Sequence, residues 1–247
     1  MEKMVIKKAL VAFCAFATIS SYASQGSHWG YSGQEGPKNW AALSADNFAC
    51  SGKNQSPINL SGFIEADLSP IQFNYKAGGQ EILNNGHTVQ VNYEKGSNIN
   101  IDGVAFELLQ FHFHAPSENH INGASYPLEA HLVHADENGN LAVVAIMFEQ
   151  GADNEGLKAA WSNMPKHEGD KHKLSKAVSA SDLLPSNRDH YQFNGSLTTP
   201  PCSEGVRWLV MKNPVVVSKE QIEAFSQVLH GPNNRPLQPV NARAILQ

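Results

Sequence analysis

Alternating apolar and polar positions dominate the chain from residue 71 onward and predict a domain built mainly from β-strands. Turn-forming sequences rich in Asn and Gly, at residues 84–86 and 137–140, predict tight reversals between strands, so that neighbouring strands run antiparallel. The segments with the clearest strand character are 88–93, 104–114, 128–134, 141–148, 206–211 and 215–217.

Two segments instead show the periodicity of amphipathic helices. The first spans about 154–164, with Leu157 and Trp161 on its apolar face. The second begins at Ser218, which with a glutamine three residues later forms a capping box, and ends before Gly231. The weakly periodic stretch 24–70 is expected to be ordered coil lying over the sheet. These features predict a mainly β domain with peripheral helices.

The composition is that of an ordinary globular protein, with 41% hydrophobic and 17% charged residues among 247. These values exclude disordered, collagenous and coiled-coil classes. No internal repeat or linker divides the chain, so we expect one domain. The formal net charge of −5 makes nucleic acid an unsuitable partner.

The N-terminus has the layout of a secretory signal peptide. Three lysines precede an apolar run at 9–19, and Ser21-Tyr22-Ala23 follows. The run is shorter than the roughly 20 residues that a membrane-spanning helix requires, so no membrane anchor is expected. We expect a signal peptide at 1–23 and a mature domain at 24–247, exported to the periplasm or secreted.

Cysteine usage agrees with export. Of three cysteines, Cys14 lies within the predicted signal peptide, which leaves Cys50 and Cys202. An even pair in an exported chain predicts a Cys50–Cys202 disulfide. The alternative is two free buried thiols.

Two of the predicted strands carry histidines that share a face. Alternation places His112 and His114 on one side of the first strand. On the second strand His131 faces one side, whereas His134 faces the other and is expected to be a hydrogen-bonded core histidine. If the two strands are neighbours, three imidazoles converge.

Three imidazoles without a cysteine suit a Zn²⁺ ion whose fourth position is open to water, which is typical of catalytic sites. Gln110 and Glu129 each stand two residues before one of these histidines, on the same face. We expect them to accept the second ring N–H of their ligand. The alternative is a polar strand face that carries histidines without a metal.

A series of short motifs spans nearly the whole predicted mature chain: Trp29-Gly30-Tyr31, 55–60, Asn85-Gly86-His87, 110–114, Ser117-Glu118-Asn119, 129–134, 195–201 and 234–239. In these motifs and their order, the sequence resembles the α-class carbonic anhydrases, in the form exported by bacteria. The resemblance implies that family's fold, a single domain on a large, mostly antiparallel twisted central β-sheet. It also implies reversible hydration of carbon dioxide to bicarbonate and a proton by zinc-bound hydroxide.

The resemblance also implies roles for individual residues. Thr198 accepts a hydrogen bond from the hydroxide and donates its own proton to Glu118, which leaves an oxygen lone pair facing the substrate. His87 corresponds to the proton shuttle, for which an ordinary pKa near 6.5 is suitable. Without the resemblance, these would be a loop threonine, a surface acid and a solvated turn histidine. The implied ligands of one Zn²⁺ per chain are His112, His114 and His131.

The resemblance places a pocket for the small, uncharged substrate beside the zinc. Its apolar wall matches residues that could equally be ordinary core: Val133, Val143, Leu197 and Trp208. Polar positions that line the cavity match Tyr31, Thr199 and Gln90. The partner is a small molecule, and the resemblance to exported bacterial relatives also favours a homodimer.

Two other function classes compete with this interpretation. A metal-binding cupin would share the His-x-His spacing followed by Glu118, but the glycines and the second motif of that fold have no counterpart here. A non-catalytic periplasmic zinc-binding protein on the same fold would bind metal without needing Thr198, Glu118 and His87 around it.

Overall fold

The computed structural model describes residues 28–247. The predicted signal peptide therefore lies outside the described residues. The described helices are α1 (Trp40–Leu43), α2 (Glu155–Ala160) and α3 (Lys219–Leu229). The strands are β1 (Asn59–Leu60), β2 (Gln72–Asn74), β3 (Gly79–Asn84), β4 (Val89–Tyr93), β5 (Asn98–Ile101), β6 (Val104–His114), β7 (His120–Ile121), β8 (Leu128–Ala135), β9 (Leu141–Gln150), β10 (Lys171–Val178), β11 (His190–Ser196), β12 (Glu204–Met211) and β13 (Val215–Val217).

One large sheet organises the molecule. Its main path runs β10-β3-β4-β6-β8-β9-β12-β11, with β5 on β6, β2 on β5, and β13 on β9. Most neighbours are antiparallel, but β9 pairs parallel with both β12 and β13. A separate parallel pair joins β1 and β7. The predicted mainly β fold on a mostly antiparallel sheet is confirmed, with the sheet mixed at one side.

Sequence pattern located the central strands better than the peripheral ones. The six predicted segments correspond to β4, β6, β8, β9, β12 and β13. Among the strands without a clear signal, β10 lies at one end of the main sheet path and is mostly exposed. Its lysines stand on both faces, so the strand lacks the apolar–polar alternation that a strand with one buried face shows.

The helices agree with the prediction in type but not in every boundary. The capping box of Ser218 and Gln221 is present at the start of α3. The helix expected over about 154–164 is shorter, since α2 ends at Ala160. Pro165, which disfavours a helical residue before it, follows a hydrogen-bonded turn. The stretch predicted as coil also contains α1 and two 3₁₀ helices, Gly33–Glu35 and Ala45–Ser51.

Hydrophobic residues pack in two clusters. The larger cluster includes β-strand residues together with Leu157 of α2 and Phe225 of α3. The second cluster includes Ile58 of the N-terminal region and Val133 and Trp208 of the sheet. The N-terminal region therefore covers part of the sheet that carries the histidines. No helix within residues 28–247 is long and apolar enough to cross a membrane.

The predicted disulfide is present. Cys50, in the 3₁₀ helix Ala45–Ser51, is bonded to Cys202, which precedes β12. The bond joins the N-terminal region to the loop between β11 and β12, which contains Thr198.

Candidate functional site

Three imidazoles meet on the surface formed by β6 and β8. The two strands are antiparallel neighbours, and His112 lies directly opposite His131 in the register. His114 is two residues further along β6 and faces the same side. One ring nitrogen from each histidine lies within 4.8 Å of one ring nitrogen from each of the others. The convergence expected from strand alternation is therefore found.

The outward nitrogen of each ring has a fixed partner. His112 Nδ1 lies 2.8 Å from Gln110 Oε1, and His131 Nε2 lies 2.9 Å from Glu129 Oε1. His114 Nδ1 lies 2.7 Å from the backbone oxygen of Asn233. Because each partner is an acceptor, the outward nitrogen carries the proton in each ring. The inward nitrogens are then His112 Nε2, His114 Nε2 and His131 Nδ1, each with a free lone pair.

The surroundings of the cluster fit a divalent cation. His114 Nε2 is buried and has no hydrogen-bond partner among the residues described. Glu118 Oε2 faces it at 3.5 Å and lies 3.9 Å from His131 Nδ1. Burial lowers the pKa of all three histidines, and their mutual repulsion lowers it further for His112 and His131. Neutral imidazoles beside a carboxylate form a donor set that suits Zn²⁺.

Glu118 is held from the side of the C-terminal region. The backbone N–H of Arg235 donates to Glu118 Oε1 at 2.8 Å. Burial raises the pKa of Glu118, whereas this N–H and the nearby Thr198 side chain lower it. Glu118 Oε2 has no hydrogen-bond partner within residues 28–247, so the bond expected from Thr198 is not made through that oxygen. Oε2 turns towards the imidazoles instead.

Glu129 is fixed by three donors as it contacts His131. The backbone N–H groups of Glu118 and Asn119 donate to its Oε2 at 2.7 and 2.9 Å. The Asn119 side-chain amide donates to Oε1 at 2.8 Å. The same carboxylate thus orients the histidine and ties the loop after β6 to β8.

Asn233 is a site residue that sequence reasoning missed. Its backbone oxygen holds His114, while its side-chain amide donates to the backbone oxygens of His87 and Phe113 at 3.0 and 2.9 Å. Its side-chain oxygen accepts the N–H of Ala115 at 2.8 Å. The polar run after the stop of α3 was the only sequence signal, and it gave no indication of these contacts.

His87 lies at the mouth of a neighbouring cavity. It follows a turn in which Asn85 Oδ1 accepts the N–H groups of His87 and Thr88. Its ring stacks on Trp29, with ring centroids 3.6 Å apart and planes at 11°. The cavity has a volume of about 440 Å³ and is also lined by Pro200 and Pro201 of the loop that carries Thr198. Burial lowers the pKa of His87 below 6.5.

The residues expected to form the apolar wall lie in one row across the sheet. Val133 of β8 pairs with Val143 of β9, which pairs with Trp208 of β12. Leu197 packs against the same cluster. The ring of Trp208 lies 4.9 Å from that of His131, centroid to centroid. The row is therefore adjacent to the histidine cluster.

The three expected polar positions are spread around the same region. Gln90 of β4 lies directly opposite His112 in the register, and its amide donates to Asn92 Oδ1 at 2.7 Å. The hydroxyl of Tyr31 is buried without a partner among the described residues, and burial and Glu118 raise its pKa. The backbone oxygen of Thr199 accepts the N–H of Cys202 at 2.8 Å.

His134 lies on the other side of β8, as predicted. It is fully buried, with Nε2 2.7 Å from the Tyr75 hydroxyl and Nδ1 3.3 Å from the backbone oxygen of Ala142. It is a hydrogen-bonded core histidine and not part of the cluster.

Comparison with known proteins identifies the family of this arrangement. A family model described as eukaryotic-type carbonic anhydrase matches residues 35–247. A carbonic anhydrase of Pectobacterium atrosepticum is 47% identical over 240 residues, 97% of this chain and 98% of that protein.

Two solved structures agree. The α-carbonic anhydrase from Thermovibrio ammonificans, in complex with the inhibitor sulfanilamide, matches with a TM-score of 0.89 and 48% identity, over 90% of this chain and 100% of that one. The α-carbonic anhydrase of Photobacterium profundum matches with a TM-score of 0.85 and 47% identity, over 89% and 100%. The chain therefore belongs to the eukaryotic-type, or α, carbonic anhydrase family and is an enzyme of that family.

Proposed function

We propose that the protein catalyses the reversible hydration of carbon dioxide with one Zn²⁺ held by His112, His114 and His131. The observation that carries this proposal is the three-imidazole cluster in which every outward ring nitrogen has its own acceptor. When bound there, Zn²⁺ lowers the pKa of a water ligand and makes hydroxide available near neutral pH. Three imidazoles would leave a fourth position of such an ion for that water.

Thr198 and Glu118 set the direction of attack. A hydroxyl has one proton to donate, so Thr198 accepts a hydrogen bond from the attacking hydroxide only if its own proton goes elsewhere. Glu118 is the nearby acceptor, and a cation at the imidazoles favours its ionised form. Held in this way, a hydroxide on the metal would have a fixed orientation, with a lone pair facing the substrate.

The apolar wall suits a small, uncharged substrate. The cluster that contains Val133, Val143 and Trp208 lies beside His131. The only hydrogen-bond donor among these three side chains is the indole N–H of Trp208. The indole N–H of Trp208 is already donated to the Ser196 backbone oxygen at 3.1 Å. Bicarbonate is charged and is poorly held by such a wall, so the wall favours its release towards polar groups, for which Tyr31, Thr199 and Gln90 are the candidates.

His87 moves the proton that forms when water becomes hydroxide. The half-buried ring reaches a cavity at the surface, and an imidazole both accepts and releases a proton, so His87 takes a proton from inside and delivers it to buffer. Its stacking on Trp29 holds the ring at the mouth of that cavity.

The proposed location is outside the cytoplasm. The disulfide and the signal-peptide layout of the N-terminal sequence support export, followed by cleavage after Ala23 and action of the domain 24–247 in the periplasm. Mass spectrometry of protein from the periplasmic fraction tests this, since uncleaved chain would contradict it. The homodimer stays a prediction.

Stopped-flow hydration of carbon dioxide, on purified protein of known zinc content, tests the proposed function. Rapid hydration that His112→Ala abolishes is expected. The matched control is His120→Ala, which changes a histidine outside the cluster and leaves the rate near wild type. Stoichiometric zinc without hydration would instead favour the alternative, a non-catalytic zinc-binding protein, which the family comparison does not support.

A further inference from the structure

A second turn is fastened to the turn that carries His87. The N–H of Gly169 donates to the backbone oxygen of Asn84 at 2.8 Å, and the N–H of Asn84 donates to the backbone oxygen of Asp170 at 3.1 Å. The N–H of Asp170 also closes its own turn on the backbone oxygen of His167 at 3.1 Å. Both the N–H and the backbone oxygen of Asn84 therefore bond to residues 169 and 170, which holds the neighbouring residue 168 against the turn 84–87.

The side chain of Glu168 lies on Gly86, the residue before His87. A methyl group placed on Gly86 would come within 2.6 Å of the carboxyl carbon of Glu168 and 2.7 Å of its Oε1. Gly86 has a φ of +83°, which glycine adopts without strain. The backbone conformation therefore favours glycine at this position, and the close approach shows that the Glu168 carboxylate lies against the turn that carries His87.

Glu168 and His87 line the same cavity of about 440 Å³, which Pro200 and Pro201 of the loop that carries Thr198 also line. We infer that Glu168 is a positioning residue for proton transfer, with its carboxylate held beside His87 to favour the protonated form of the shuttle. This inference rests on the proposed function, in which His87 carries the proton. Glu168 touches neither the substrate nor the metal cluster and acts only through His87.

Other groups around His87 bear on its charge. His28 lines the cavity, and its own ring pairs with Glu35 at 3.0 Å, while Asp46 is another lining residue. Burial lowers the pKa of His87, the negative charge of Glu168 raises it, and positive charge on His28 lowers it. On the ring's inner side the phenol of Tyr31 lies 6.5 Å away, centroid to centroid, and stays neutral because its pKa is raised. Of the acidic groups facing this cavity, Glu168 is the one that acts on His87.

Glu168 therefore brings the pKa of His87 closer to that of the group from which His87 accepts its proton. A shuttle transfers protons fastest when its pKa is close to that of the group it serves. Burial alone moves His87 away from that match, and Glu168 offsets part of the loss. Because Glu168 is exposed, its effect is that of a solvent-screened charge, and removing it lowers the pKa of His87.

Glu168→Gln in the zinc-loaded enzyme tests the inference, because it removes the charge and keeps the shape. The control is Glu137→Gln, which changes an exposed glutamate in the turn between β8 and β9. Glu137 does not line the cavity. NMR titration of the His87 ring should show the fall in pKa only in Glu168→Gln. In dilute buffer, kcat for hydration should drop by about 1.3- to 2-fold with kcat/KM unchanged, and added imidazole should restore it.

Two further measurements make the test specific. In a His87→Ala background, Glu168→Gln should cause no additional loss of kcat, because the charge acts only through that ring. Raising the ionic strength should shrink the difference between Glu168→Gln and wild type. An unchanged His87 pKa, or an equal loss of kcat and kcat/KM, would overturn the inference while wild-type hydration still supported the proposed function. Absence of hydration in the wild type would overturn the proposed function itself.

Discussion

Removal of the Cys50–Cys202 disulfide should cost the protein a large part of its stability. The two cysteines are 152 positions apart, and releasing a loop of that length corresponds to about 5 kcal/mol in the chain-entropy model. A domain of this size loses about 2–4 °C in Tm for each kcal/mol. The double variant Cys50→Ser, Cys202→Ser should therefore melt roughly 10–20 °C below the wild type.

The same bond should affect the active site, because Cys202 closes the loop that contains Thr198. Ser56 and Ser196 also join the N-terminal region to this loop, with reciprocal N–H to Oγ bonds of 2.9 and 3.1 Å. These bonds survive in the variant, so the loop stays near its place but is held less firmly. We expect kcat/KM for hydration to fall while zinc content stays at one per chain.

Thermal melting followed by circular dichroism, together with stopped-flow hydration, measures both effects. The wild type treated with a reductant should behave like the double variant. The double variant treated in the same way is the control, since it has no bond to reduce. Unchanged melting temperature and unchanged hydration in the double variant would refute the role given to the disulfide.

Three further outcomes are expected. Glu129→Ala should weaken zinc binding about 10- to 100-fold in a chelator competition, because His131 loses the acceptor that orients it, while Glu137→Ala should not. Val143→Phe should lower kcat/KM about 10- to 100-fold with zinc retained, because a ring there overfills the row between Val133 and Trp208. Burial lowers the pKa of His134 to about 4, so its contribution is complete above pH 6.5 and is lost as pH falls towards 4, where the unfolded chain binds the extra proton. In urea unfolding across that pH range, the free energy of unfolding of the wild type should fall by about 3 kcal/mol more than that of His134→Leu. Equal falls in the two proteins would contradict this.

Strand alternation predicted the metal cluster well because both strands lie in the middle of the sheet. Each is bordered on both sides by other strands, and the side-chain period of two holds through the histidine-bearing segments. The register of β6 with β8 shifts between Leu108 and Gln110, which is before the histidines. The placement of His112 and His131 opposite each other needed one added assumption, that β6 and β8 are neighbours. The structure supplied that pairing.

The contacts of Asn233 could not be predicted by the same reasoning. Its backbone oxygen holds His114, and every residue type offers such an oxygen. The two residues are 119 positions apart, and only the tertiary fold brings them together. Arg235 presents the same difficulty, because the group that contacts Glu118 is its backbone N–H.

The elements that the sequence pattern did not predict include peripheral parts of the fold, where burial imposes little pattern on the sequence. β10 is mostly exposed and carries charged residues on both faces, so it lacks the apolar pattern of a buried strand. The stretch from 28 to 70 is shaped by caps and turns, including the Ser44 hydroxyl that accepts the N–H of Asp46 at 3.2 Å. Such local bonds are favoured by composition, but their exact placement depends on packing against the sheet.

The central claim is that one Zn²⁺ on the three histidines supports hydration of carbon dioxide. The most direct measurement is a titration of metal-free protein with Zn²⁺, with the hydration rate recorded at each step. A linear rise that ends at one zinc per chain, and that is absent in His114→Ala, is the predicted result. Full occupancy at one zinc per chain without hydration, or activity that does not depend on zinc, would contradict the claim.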